Sequence, residues 1–154
     1  MKFLIIPLLT TLALLSASAF ATPPVPPFGT NDKNATLRDA TGRVIGSTSA
    51  SGNGTIQRDA TGRVIGSTSA SGNGTIQRDA TGRVEGSTST SSNGSSTYRD
   101  ATGRVSGSST TSSNGSTTYR DATGRVSGSS TTSGNTITYR DATGRVTGSA
   151  NLQK

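Results

Sequence analysis

An all-β fold, a tandem array of β-hairpins running as a meander, follows from three features of the sequence. The heptapeptide Arg-Asp-Ala-Thr-Gly-Arg-Val occurs six times unchanged, with its aspartate at 39, 59, 79, 100, 121 and 141, so the chain repeats every 20 or 21 residues. Each unit carries two turn signals about ten residues apart, which is hairpin punctuation and not helix punctuation. The residues between the turns include Val, Ile, Thr and Tyr, types that suit a pleated strand. Such a meander is free to curl or to coil into a solenoid.

The elements run in a simple order. Lys2, the apolar stretch Phe3 to Leu15 and Ala19-Phe20-Ala21 read as the three parts of a secretory signal peptide covering residues 1–21. The apolar run is shorter than the roughly 20 residues a spanning helix needs, so no membrane span is expected in the mature chain. Residues 22–37, opening Thr-Pro-Pro-Val-Pro-Pro, read as an extended Pro-rich leader. Six repeats occupy residues 38–148, and 149–154 form a short tail. The expected location is secreted, periplasmic or at the cell surface.

Composition closes most catalytic routes. Among 154 residues there is no Cys, His or Trp, which removes disulfides, zinc fingers, Ser-His-Asp triads and Cys-His dyads. Asp-Ala-Thr-Gly is not the Asp-Thr-Gly of aspartic proteases, since an alanine intervenes. One aspartate per unit falls short of the clustered carboxylates that calcium needs. The chain is therefore read as a protein without catalytic, cofactor-binding or metal-binding residues, and no small-molecule substrate is indicated. Residues 22–154 hold 15 Leu, Ile, Val and Phe against 23 Ser and 25 Thr, too few large apolar groups for an ordinary two-layer core. The same composition admits a largely disordered Ser/Thr/Gly chain as the alternative to an array.

Within a unit, Asp39 suits the first position of a type I turn and Gly42 supplies a positive φ at its end; the same roles fall to Asp59 and Gly62, Asp79 and Gly82, Asp100 and Gly103, Asp121 and Gly124, and Asp141 and Gly144. Asn53-Gly54 and its equivalents predict a two-residue type I′ turn at the other end. Asn53, Asn73, Asn93, Asn114 and Asn34 also fit the N-glycosylation pattern, and the turn accounts for the first four. A three-residue Ala-Thr-Gly loop places Arg38 opposite Val44 and Leu37 opposite Ile45. One face should then carry Leu37, Gln57, Gln77, Tyr98, Tyr119 and Tyr139 together with Ile45, Ile65, Glu85, Ser106, Ser127 and Thr147; the valines and the first arginines should share the other.

The units resemble the bacterial tandem hairpin repeats called YD or Rhs repeats, which run Tyr-Asp-x-x-Gly-Arg-aliphatic over about twenty residues. Asp39-Ala40-Thr41-Gly42-Arg43-Val44 and its five copies match all but the first position, where this chain has arginine, and tyrosine stands one place earlier in the last three units. The resemblance implies a secreted or surface β-repeat scaffold and carries no catalytic residue.

Two arginines per unit are the main chemical regularity. The row Arg43, Arg63, Arg83, Arg104, Arg125 and Arg145 is expected to be neutralised by the aspartates. The row Arg38, Arg58, Arg78, Arg99, Arg120 and Arg140 is left as a candidate ladder for surface polyanions, with a merely solvated row as the plain alternative. The expected function is a structural or interaction protein at the cell surface. Its rivals are a self-assembling fibre subunit, partnered by other copies of itself through stacked Ser, Thr, Asn and Gln, and a polyanion-binding module.

Overall fold

The computed structural model describes residues 34–153; the signal-peptide reading and residues 22–33 of the leader lie outside the described residues. Twelve strands follow one another, with no helix among the described residues: β1 (Ala35–Asp39), β2 (Val44–Ser51), β3 (Gly54–Asp59), β4 (Val64–Ser71), β5 (Gly74–Asp79), β6 (Val84–Thr90), β7 (Ser95–Asp100), β8 (Val105–Thr111), β9 (Ser116–Asp121), β10 (Val126–Ser133), β11 (Thr136–Asp141) and β12 (Val146–Leu152). Each strand is antiparallel to the next, and β12 returns to pair with β1, so the tandem hairpins form a closed barrel and not an open ribbon. Pairing reaches past the repeat bounds: Ala35 to Leu37, on the leader side, and Ser149 to Leu152, in the tail, supply the closing ladder.

A constant stagger makes closure geometrically consistent. Gln57 faces Gly66, and Gly66 faces Asp79, two residues beyond Gln77, the equivalent of Gln57. The step across the seam is the same, since Tyr139 faces Gly148 and Gly148 faces Asp39, two beyond Leu37. Six such steps give a shear equal to the strand number, a condition that sets strand tilt at about 36°.

The variation between 20 and 21 residues leaves this register untouched because the turns absorb it. In the shorter units a two-residue turn, Gly52-Asn53, Gly72-Asn73 or Gly134-Asn135, joins the strands, with the glycine at φ of +55 to +57°. The turn therefore sits one residue earlier than the expected Asn53-Gly54. Gly54 is already in β3, so close to the Thr68 carbonyl that a Cβ would clash. In the longer units the loops Ser92-Asn93-Gly94 and Ser113-Asn114-Gly115 hold three residues, closed by Gly94 N–H to the Ser91 carbonyl at 3.1 Å and Gly115 N–H to the Ser112 carbonyl at 3.0 Å.

The other end of each hairpin has the Ala-Thr-Gly loop, with Gly42 at φ +85° and its N–H donating to the Asp39 carbonyl at 3.0 Å. Beyond it Arg38 faces Val44, but Leu37 faces Gly46 and not Ile45. Ile45 is the extra residue of a β-bulge, and Ile65, Glu85, Ser106, Ser127 and Thr147 repeat it; all six are exposed and lie outside the row that contains Leu37. The bulge falls after the Arg38 and Val44 pair and brings Gly46 to the inward position opposite Leu37.

Register and burial agree on what faces inward. Ala35, Thr48, Thr88, Ser96, Ser109, Tyr119, Ser130, Tyr139 and Ala150 are the buried residues besides glycine, and they share one face. Six glycines lie on that face too. A Cβ on Gly66 would stand 2.7 Å from the Arg78 carbonyl oxygen, so the strands could not approach with any larger residue there. The interior is thus lined mainly by glycine and by hydroxyl-bearing side chains, tyrosines among them. It is held by the hydrogen-bonded wall more than by apolar packing.

Ring closure makes a stability prediction. Valine at Gly82 or Gly144 places a β-branched residue near φ +86°, at a cost of at least about 1–2 kcal/mol. The last unit has two neighbours, like a middle one. Denaturant melts of G82V and G144V should therefore show equal losses, and a much smaller loss at 144 would mean that the seam is open in solution.

Candidate functional site

A meander alternates its turns between two ends, so all six Asp-Ala-Thr-Gly-Arg-Val segments gather at one rim of the barrel. There each aspartate organises its turn. Asp39 Oδ1 accepts the Thr41 backbone N–H at 2.9 Å, the Thr41 hydroxyl at 2.6 Å and the Arg43 backbone N–H at 3.0 Å, and the other five units repeat the set within 0.1 Å. The Thr41 hydroxyl holds the Asp39 carboxyl below its usual range against partial desolvation, aided by the two N–H groups and the Arg43 charge. Asp59, Asp79, Asp100, Asp121 and Asp141 are lowered for the same reasons.

Both arginine rows are presented by these turns. The guanidinium of Arg38 folds back so that Nη1 donates to the Gly42 carbonyl at 2.7 Å; Arg58, Arg78, Arg99, Arg120 and Arg140 do likewise to Gly62, Gly82, Gly103, Gly124 and Gly144 at 2.9–3.0 Å. One donor of each fork is thereby fixed and the side chain is largely preordered. The row of Arg43 departs from the sequence expectation. Asp39 takes its backbone N–H rather than its guanidinium, and no guanidinium hydrogen bond forms in this row among the described residues. Arg43, Arg63, Arg83, Arg104, Arg125 and Arg145 therefore belong to the cationic surface too. Sequence reasoning missed them because Asp and Arg four apart suggested a cross-strand ion pair.

Among the described residues, charge is confined to this rim. Twelve arginines, six aspartates and Glu85 are the charged residues between 34 and 153, all within or beside these turns, and they leave a surplus of five positive charges. The opposite rim is built from Gly, Asn and Ser turns and carries no charge among the described residues. The chain enters and leaves there, with Gln153 N–H donating to the Asn34 carbonyl at 2.7 Å. Outward strand positions between the rims are mostly Ser and Thr, as at Ser47, Ser49, Ser108 and Thr118. That is not the apolar band of a lipid-embedded barrel, and strands of five to eight residues are shorter than the 9–11 that cross a bilayer.

Inside the barrel one contact recurs. In three successive units the side chain before the first arginine reaches over the glycine of the next strand to a hydroxyl two residues along it, whereas in the unit of Gln57 the Thr68 hydroxyl bonds Thr55 instead. Gln77 Nε2 donates to Thr88 Oγ1 at 3.1 Å, Tyr98 Oη meets Ser109 Oγ at 2.8 Å, and Tyr119 Oη meets Ser130 Oγ at 3.0 Å. At the seam the pattern breaks, because Leu37 stands where the others are polar and Ala150 stands where the others have a hydroxyl. Thr48 Oγ1 and Tyr139 Oη are left buried without partners. Burial pushes the Tyr98 hydroxyl up to about 12 despite the Ser109 bond. Burial also raises Tyr119 and Tyr139.

Fold and rim together define a closed β-barrel of six tandem hairpins that segregates its charge to one mouth. Comparison with protein-family models finds no match to the chain, and comparison with curated proteins finds none either. No group of three or more potential metal ligands occurs among the described residues.

Two predictions follow from these contacts. Replacing Ala150 by Ser supplies the missing partner of Tyr139 and should raise stability by about 1 kcal/mol in denaturant melts; in a Y139F background the buried serine hydroxyl lacks that partner, and the gain should vanish or turn into a loss. The second concerns acid. A carboxyl lowered by folding contributes stability that is complete above its ordinary value, 3.8, and is lost as pH falls through the folded value. The melting temperature should be level from neutrality to about pH 5 and fall below about pH 4 as the turns protonate. T81V should move the Asp79 carboxyl titration, followed by NMR, to higher pH.

Proposed function

We propose that this chain is an exported, non-catalytic interaction module, a rigid ring that offers its arginine rim to polyanions. The observation that carries the reading is the confinement of every described charge to one mouth, with twelve guanidinium groups around it and six of them already held by their turn carbonyls. Prefixed forks lose less freedom on meeting phosphate or sulfate, which favours binding. The six aspartates and Glu85 offset part of the field and leave a surplus of five positive charges among the described residues. Closure pairs every strand on both sides and leaves no free edge for another chain, which favours a discrete ring over a fibre. A scaffold role is also what the resemblance to YD or Rhs repeats implies.

The test uses heparin as a soluble polyanion. Affinity should fall by a factor of about ten or more between low and physiological salt, since each anion engaged releases counterions. R43Q, R83Q and R125Q combined should reduce the salt slope by up to about three, and R38Q, R78Q and R120Q combined should do the same. Affinity that ignores salt, or that survives both triple variants, rejects the reading.

A further inference from the structure

The cationic rim is also the apolar end of the outer surface. Val44, Val64, Val84, Val105, Val126 and Val146 are 41–45% exposed, and Ile45 and Ile65 about half exposed; these eight are the exposed large hydrophobic residues among those described. Each valine lies directly opposite the first arginine of its unit, Arg38 to Val44, Arg58 to Val64, and so on around the ring. The alanines at the turn tips, such as Ala40, Ala80 and Ala122, are exposed beyond them. Arginine and aliphatic side chain thus alternate around one circular edge, while the mouth itself has the aspartates on its inner face, in register with the inward glycines. The first arginine of each unit is therefore on the collar, while the second stands opposite the aspartate at the mouth.

A soluble polyanion needs the arginines and has no use for the aliphatic groups. A surface with phosphates above hydrocarbon needs both, at the same level and around the same edge. We infer that the barrel docks end-on against an anionic lipid surface, arginines on the headgroup phosphates and the valine collar at the headgroup boundary. This rests on the polyanion reading and names the source of the anion. Face-to-face docking with a second copy would instead bring two rims of like charge together. The collar is uneven, because the bulge residue is Ile in the first two units and Glu, Ser, Ser and Thr in the rest. The side formed by β2 and β4 should sit deepest.

The experiment is sedimentation with vesicles of phosphatidylcholine alone and with about 30% phosphatidylglycerol, next to heparin binding, using the chain from residue 22 to 154. The protein should bind the anionic vesicles and leave the zwitterionic ones. V64S, V84S and V105S combined should weaken vesicle binding about tenfold or more and leave heparin affinity unchanged; the Arg→Gln triples should weaken both, by about fivefold for each arginine at the vesicle. Circular dichroism of each variant establishes that the barrel persists, and I45S with I65S, at exposed bulge positions, gives a second apolar variant if the valine change unfolds it. An environment-sensitive dye on Cys at position 65 should shift to the blue on vesicles, and on Cys at position 127 it should shift less. Binding to heparin with none to anionic vesicles overturns the lipid proposal and leaves the polyanion reading standing. Binding to neither overturns both. Vesicle binding unaffected by the valine and isoleucine changes, or self-association that those changes abolish in the absence of lipid, also overturns it.

Discussion

The ladder between the first and last strands is the contact on which everything else depends. Five residue pairs, from Ala35 with Leu152 to Asp39 with Gly148, join β1 to β12. Without them the chain would be a long curled ribbon with two bare edges, and its buried face, mostly hydroxyls and glycine, would have little apolar area to hold it in shape. With them, each strand satisfies its backbone groups on both sides, and the small interior side chains no longer have to supply the cohesion. The seam is also the most apolar part of the interior, with Ala35, Leu37, Ile137, Ala150 and Leu152 brought together by the register. The junction that local contacts alone cannot place is the one reinforced by apolar side chains, at the expense of partners for Thr48 and Tyr139.

Much of the fold was legible because the turns are chemically explicit. Asp39 through Gly42 can satisfy a carboxylate, a hydroxyl and a positive φ in one arrangement, and that arrangement is what forms. The opposite turn was displaced by one residue because Gly52, Asn53 and Gly54 offer two ways to place a positive-φ pair, and the choice is made by the Thr68 carbonyl of a different strand. The bulge at Ile45 was not legible for a related reason. It responds to the inward demand for glycine at position 46, which becomes visible only once the neighbouring strand is in place. Whether the ring closes could not be read locally, since the two-residue stagger per unit belongs to the pairing and not to any one segment.

For the candidate site, the periodicity of both arginine rows was legible, but the Asp39 and Arg43 ion pair expected from it is not the contact that forms. A sequence shows that Asp39 and Arg43 are near one another. It does not show that three donors of the turn, two backbone N–H groups and a hydroxyl, reach the carboxylate first. All three belong to the turn itself, so the guanidinium forms no hydrogen bond to the carboxylate, and the row expected to be ion-paired makes up half of the arginines at the rim. Segregation of charge to one mouth has the same origin: the charged heptapeptide makes only one of the two turn types, and a meander sends each type to its own end.

A stagger of two residues per hairpin has a consequence for how such a molecule can vary. Strand tilt depends on the ratio of shear to strand number, and each whole unit adds two to both. Deleting or duplicating a unit would therefore change the bore and leave the tilt, the turn geometry and the spacing between neighbouring arginines as they are. With Asn34 and Gln153 side by side, the ring has no privileged starting unit either. Its circumference is set by counting, and the number of charges it carries grows in the same integer steps.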